Sequence, residues 1–182
     1  EESEFMGNLF YVNKSVLIPR PETEELANWI LSENFPTKQN SLRVLDVGTG
    51  SGCIAISIAK SNPNFKVDAI DFSSKALLVA KRNAKSIGVD INFKRIDILN
   101  IDKLDRSYDI IVSNPPYLDL RDKDQMSSIV INHEPSEAIF VPHDDSLIFY
   151  KKIILFAQQK LNKKGIIYFE INPKYSTILR EY

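Results

Sequence analysis

At 182 residues, with 43% hydrophobic and 26% charged side chains, the chain is long enough for one domain with a core and ordinary in composition for a globular protein. A formal net charge of −1 argues against a nucleic-acid partner, which leaves a basic footprint, and no apolar segment approaches the length of a membrane span. Residues 1–35 hold seven acids against Lys14 and Arg20, a balance of −5 that leaves +4 for the remainder, read as solvated surface. Cys53 is the only cysteine, so an intrachain disulfide is excluded and a reducing compartment fits. Its apolar surroundings read as those of a buried thiol rather than a nucleophile. The acidic start is unlike a signal peptide, and a cytoplasmic location is expected.

Phe5 to Ile18 alternates loosely and contains Gly7-Asn8 and Asn13-Lys14, which predicts a short β-hairpin. Pro19-Arg20-Pro21 ends it and launches a helix, with acids in the first turn and Leu26, Ile30 and Leu31 at helical spacing. Pro36 to Ser41 reads as a loop. Strands and helices then alternate. Leu42–Val47 is a predicted strand, Cys53–Ser61 a helix, Lys66–Ile70 a strand, Ser74–Ile87 a helix, Ile91–Ile96 a strand and Tyr108–Ser113 a fourth strand. Beyond a long polar loop, Leu147–Leu161 has helical spacing, Gly165–Ile171 reads as a fifth strand and Tyr175–Tyr182 as the opening of another helix. This alternation predicts a Rossmann-like, doubly wound, mostly parallel α/β sheet preceded by a short hairpin. Residues 1–40 form the hairpin and linking helix, and 41–182 the ligand-binding domain.

Gly48-Thr49-Gly50-Ser51-Gly52 stands where the first parallel strand turns into a helix. Glycine allows close backbone approach to a ligand, and the helix start supplies unpaired N–H groups. The dinucleotide pattern G-x-G-x-x-G is not met, because Cys53 takes the place of its third glycine. Asp71, ending the second strand, is placed to accept both ribose hydroxyls of a nucleoside. It could equally serve the next helix start, which Ser73-Ser74 could also cap; with the glycine loop the ribose reading is preferred. Asp97 at the end of the third strand is read either as a partner for an adenine amino group, with Ile98 beside the ring, or as a surface loop acid.

Asn114-Pro115-Pro116-Tyr117 follows the apolar run Ile110-Ile111-Val112, at the carboxyl end of a buried strand where open α/β sheets place their chemistry. The prolines donate no hydrogen bonds, so the turn offers acceptors: the Asn114 side-chain oxygen and the Pro115 carbonyl. Such a pair beside the Tyr117 ring suits a planar NH2 group, an amide or an exocyclic base amine. His133 and His143, with no third ligand at metal spacing, read as loop residues, and no metal is expected. Lys81-Arg82 and Lys151-Lys152 read as solvated helix faces.

The chain resembles S-adenosylmethionine-dependent methyltransferases of class I fold. More narrowly, it resembles the protein-(glutamine-N5) methyltransferases of peptide-chain release factors. Four stretches carry the likeness: Val16-Leu17-Ile18-Pro19-Arg20-Pro21-Glu22-Thr23-Glu24, the run from Leu45 through Gly52, the Asn114–Tyr117 tetrapeptide, and His133-Glu134-Pro135 followed by Ala138. The Asn-Pro-Pro-Tyr turn is shared with adenine-N6 DNA methyltransferases, whereas the Pro-Arg-Pro-Glu-Thr-Glu run discriminates. The resemblance implies cofactor contacts at Gly48, Thr49, Gly50, Ser51, Gly52, Asp71, Asp97, Ile98 and Asn114. It implies substrate contacts at Asn114, Pro115, Pro116 and Tyr117, of which Asn114, Pro115 and Tyr117 do the catalytic work. Arg20 and Thr23 would stand near the methionine end of the cofactor.

The implied activity is methyl transfer from S-adenosylmethionine to the side-chain amide nitrogen of a Gly-Gly-Gln glutamine, with a peptide-chain release factor as partner and no direct nucleic-acid or membrane contact. Two alternatives stand beside it: an adenine-N6 or guanine-N2 nucleic-acid methyltransferase, and a catalytically silent methyltransferase-like scaffold. The chain departs from the family at Val141-Pro142-His143-Asp144-Asp145-Ser146, where relatives have glycines. The family's N-terminal helical domain and its last two strands are not expected within these 182 residues. The fifth strand is therefore expected to form an exposed edge prone to pairing.

Overall fold

The computed structural model describes residues 1–101, 104–118, 134–141 and 145–182. His133 and His143 lie outside the described residues. A two-stranded antiparallel ribbon opens the chain, β1 (Glu2–Phe5) pairing with β2 (Asn8–Tyr11). The ribbon starts earlier and turns more tightly than expected. Met6 and Gly7 both take positive φ at the turn, and residues 12–20 run on as a strap rather than a strand. Alternation in Phe5–Ile18 misled because Val12 and Val16 bury their side chains from irregular backbone, packed on Ala76 and Val79.

Helix α1 (Pro21–Glu33) begins with Pro21 in its first turn, where the missing N–H goes unmissed. The main sheet then assembles from β3 (Leu42–Val47), β4 (Phe65–Asp71), β5 (Asn92–Arg95), β6 (Tyr108–Ser113) and β7 (Leu161–Phe169). All neighbours are parallel, in the order β5-β4-β3-β6-β7. Helices α2 (Cys53–Ser61), α3 (Ser74–Ile87) and α4 (Ile148–Lys160) connect or flank these strands, and α5 (Ser176–Leu179) is a single turn near the end. The doubly wound parallel sheet with a leading hairpin is as expected. No helix among the described residues is long and apolar enough to cross a membrane.

Strand order reverses direction between β3 and β6, so their carboxyl ends diverge and leave a crevice above the sheet. One core layer lies where α1, α2 and the hairpin meet the sheet: Phe5, Phe10, Ile30, Ile56 and Ile58 pack on Val44, Ile110 and Tyr168. The opposite layer joins Leu45, Ile70 and Ile111 to Ile153 and Phe156 of α4. Alternate residues of each strand feed alternate layers, which is why these strands read as unbroken apolar runs. The first turn of α3 is capped by the Ser73 hydroxyl, which accepts from Ala76 N at 3.2 Å. Gly88 ends that helix at φ +80°.

Candidate functional site

A cavity of about 290 Å³ opens at the switch point, floored by the carboxyl ends of β3, β4 and β6. The glycine loop forms one wall. Gly48 N and Thr49 N both donate to the Ile70 carbonyl, at 2.9 and 3.0 Å, which bends the chain over the end of β4. Gly50 N donates to Asp71 Oδ2 at 2.9 Å, and Ser73 N to Asp71 Oδ1 at 2.9 Å. The Asp71 carboxylate is thus held from both sides while it lines the cavity, and burial raises its pKa against those two bonds. Asp71 serves the α3 start through Ser73 N, while the Ser73 hydroxyl caps that helix, and the Asp71 carboxylate still lines the cavity.

Gly48, Thr49, Gly50 and Ser51 all line the cavity, as do Asp97 and Ile98 on its far side. Asp97 also closes a short 3-10 turn, accepting from Leu99 N at 3.0 Å and from Asn100 Nδ2 at 2.7 Å. Asn114, Pro115 and Pro116 complete the lining from the end of β6. Three predicted residues stand outside it: Gly52, Tyr117 and Arg20. Gly52 forms the left-handed start of α2, behind the loop, and Tyr117 is partly buried beside Glu170, Glu22 and Arg20, where burial raises its pKa.

The strap brings Val16, Leu17 and Pro19 across the opening, and Thr23 reaches in from α1. Arg20 does not line the cavity. Its guanidinium donates to Glu134 Oε1 at 2.6 Å, an oxygen that also accepts from Ile18 N at 3.3 Å. Arg20 therefore ties the strap to residues 134–141. Leu118 bridges Phe140 there in parallel register, with Leu118 N to Ile139 O at 3.2 Å and Val141 N to Leu118 O at 2.9 Å, which pins the proline turn. Pro142–Asp144 fall outside the described residues. Asp145 accepts from Leu147 N at 3.0 Å and pairs with Lys151 at 2.8 Å, starting α4.

Three contributors, Asn83, Asp46 and Glu170, escaped the sequence reading. Asn83 is 1% exposed and staples three parts together: it accepts from Tyr11 N at 2.8 Å and donates to Tyr11 O and Ser51 O at 3.0 and 2.9 Å. Asp46, 1% exposed beneath the loop, accepts from the Thr49 hydroxyl at 2.6 Å, and burial pushes its pKa up to about 7. Thr23, expected from the resemblance to stand near the cofactor, lines the cavity, and its hydroxyl donates to Glu170 Oε2 at 2.6 Å. Glu170 itself lay hidden inside the predicted fifth strand, although an acid ending a parallel strand repeats the pattern of Asp71. Cys53 is buried, and its thiol is pushed up to about 12 by burial, the inert state expected of it.

The chemistry offered is binding plus positioning. A carboxylate and loop amides stand at one end, and an amide and a proline turn at the other. Residues 25–137 match the family model described as methyltransferase small domain. The chain belongs to that family.

Within the methyltransferase small domain family, the chain is 51% identical over 172 residues to the release factor glutamine methyltransferase of Flavobacterium psychrophilum, covering 94% of this chain and 60% of that protein. It is 46% identical to the protein of the same name from Bacteroides thetaiotaomicron, covering 95% of this chain and 61% of the relative. The chain thus spans about 60% of the length of the relatives it matches. Among solved structures, the Thermus thermophilus 16S rRNA N2 G1207 methyltransferase, in complex with AdoMet and guanosine, superposes with a TM-score of 0.67. It is 18% identical and matches 100% of this chain and 44% of that one. The ribosomal protein L11 methylase from Lactobacillus delbrueckii subsp. bulgaricus gives 0.59 at 23% identity, over 90% and 67%. These two likenesses establish the methyltransferase fold for a small domain whose cavity sits at the switch point.

Proposed function

We propose that the chain is the catalytic part of a peptide chain release factor N5-glutamine methyltransferase, which takes S-adenosylmethionine as cofactor and the glutamine of a Gly-Gly-Gln motif as substrate. One observation carries the reading: a single cavity runs from the Asp71 carboxylate and glycine loop to the Asn114-Pro115-Pro116 turn. The lining fits such a cofactor. Asp71 would offer acceptor oxygens to a ribose, Asp97 and Ile98 an acceptor and an apolar face to the base, and Gly50 lets backbone stand close. Residues 41–182 would hold this cofactor, and residues 1–40 would cover it through the strap. The names of the relatives at 51% and 46% identity support the release factor as the protein partner.

When bound, the cofactor supplies an electrophilic methyl group on a sulfonium. An amide nitrogen is a weak nucleophile because its lone pair is delocalised into the carbonyl. The chain compensates by placement. Asn114 and the Pro115 carbonyl accept the two amide hydrogens, and Tyr117 flanks the amide from the other side of the turn. Positive charge moving onto the nitrogen is stabilised by those acceptors. Holding the reactants in line supplies about 7–11 kcal/mol in well-oriented systems.

Tritiated methyl transfer tests this directly. The full-length protein is expected to label a release factor and to leave DNA and ribosomal RNA unlabelled; the reverse pattern would select a base amine as substrate. In the same assay, Asn114→Ala should lower transfer on the order of 100-fold or more. Adenosylhomocysteine affinity by calorimetry should stay close to wild type. Transfer surviving within a few-fold would refute the acceptor pair.

A further inference from the structure

We propose that Glu170 is a positioning residue for the transfer: acting on Thr23 and Asn114 together, it sets which edge of the Asn114 amide faces the substrate. The inference rests on the reading that Asn114 accepts a hydrogen from a substrate NH2 group. Sheet register creates the arrangement. Ser113 pairs with Phe169 across β6 and β7, and Glu170 N donates to Ser113 O at 3.1 Å. Asn114 and Glu170 therefore leave neighbouring parallel strands side by side. Thr23, 4% exposed in the first turn of α1, closes the triangle.

Polarity runs one way through it. Thr23 Oγ1 donates to Glu170 Oε2 at 2.6 Å, and Asn114 Nδ2 donates to Thr23 Oγ1 at 3.1 Å. The Asn114 side chain also favours the ionised form of that carboxylate. An ionised carboxylate accepts and never donates. It draws the Thr23 hydroxyl hydrogen toward itself, leaves Thr23 only lone pairs for Asn114, and so requires the NH2 edge of Asn114. The carbonyl oxygen of a planar amide then lies on the opposite edge. A reversed Asn114 would set its own NH2 against the substrate's, two donors with no acceptor between them.

The carboxylate's ionisation is the switch that holds this polarity. Burial raises the Glu170 pKa, opposed by the Thr23 bond; Glu22 adds to the rise, while Asn114 and Arg20 counter it. Tyr117 from the β6 turn and Tyr150 from α4 face the same carboxylate with phenols whose own pKa values are raised, hence neutral. A protonated Glu170 can donate, and the orientation is then no longer imposed. Transfer should fall on the acid side as pH drops through this raised pKa.

The test uses the full-length protein with Glu170→Gln, whose amide both donates and accepts. The kcat for release-factor methylation is expected to fall about 10- to 100-fold. The KM for S-adenosylmethionine should hold, and the acid limb of the pH profile should disappear. Thr23→Val should reproduce that loss, and Thr23→Ser should recover most of it. Independently of activity, the side-chain NH2 resonances of Asn114 in nitrogen-15 labelled, substrate-free protein should titrate in the wild type and stay flat in Glu170→Gln. A kcat within about twofold of wild type with the acid limb intact, or an Asn114 NH2 signal indifferent to both substitutions, overturns the proposal. A wild-type protein that methylates no release factor would fail the functional reading alone, and the resonance titration would still decide the orientation.

Discussion

Gly52 shows how a residue can belong to a ligand-binding motif without facing the ligand. It sits at φ +83°, and an added Cβ would stand 2.8 Å from Ile56 Cδ1 and 3.2 Å from Ala80 Cβ. Its glycine character therefore serves the close packing of α2 on α3, one layer behind the cavity. Gly52→Ala is expected to destabilise the fold by about 2–4 kcal/mol, combining left-handed backbone strain with overpacking. Urea denaturation of the two proteins would measure it. The five-residue loop was legible as a loop because its glycines follow an apolar run. Which glycine meets the ligand was not, since that depends on Ala80, 28 positions along the chain.

Among the strands of the main sheet, β7 is the one whose start the local pattern concealed most. It begins at Leu161, directly after α4 ends at Lys160, although Asn162-Lys163-Lys164 reads as a polar loop. Pairing with β6 jumps from Tyr108↔Leu161 to Ile110↔Ile166, so the polar residues are taken up in a bulge. Gly165 fits there because a Cβ would lie 3.2 Å from the Asp109 carbonyl. Inwardly, Tyr168 binds α1: its hydroxyl donates to Glu33 Oε2 and accepts from Asn34 Nδ2, both at 3.0 Å, and its ring meets Trp29 edge-on. Outwardly, β7 ends the sheet among the described residues, with Ile166 43% exposed. Residues 1–182 are expected to self-associate with rising concentration through this edge, and Ile166→Lys to lessen it. Sedimentation velocity over a concentration series checks both; a monomer at every concentration would remove the edge as a pairing site.

At the scale of the whole molecule, the buried Asp46 and Asp71 and the half-buried Glu170 stand toward the carboxyl ends of their strands. Asp46, Asp71 and Glu170 all have raised pKa values, burial being the main cause for each, and Asp46 reaches about 7. A raised carboxyl binds its proton more tightly folded than unfolded, so its contribution to stability is complete below the unfolded pKa of about 4 and is lost as pH rises through the folded value. Asp145, lowered by Lys151, acts oppositely but only below that range. Urea denaturation should find the ligand-free protein less stable at pH 8 than at pH 5, each tenfold gain in a carboxyl's proton affinity on folding being worth about 1.4 kcal/mol. Asp46→Asn should flatten that slope; an unchanged slope would mean Asp46 titrates normally. The sequence by itself determined the parallel sheet, the glycine loop, Asp71 and the proline turn, because apolar period, loop chemistry and strand ends are local properties written in consecutive residues. Tertiary structure alone decided that Arg20 would hold Glu134 and that Thr23, Asn114 and Glu170 would meet. The hydrogen-bonded pairs lie 91 to 147 positions apart, and only strand order and register bring them within reach.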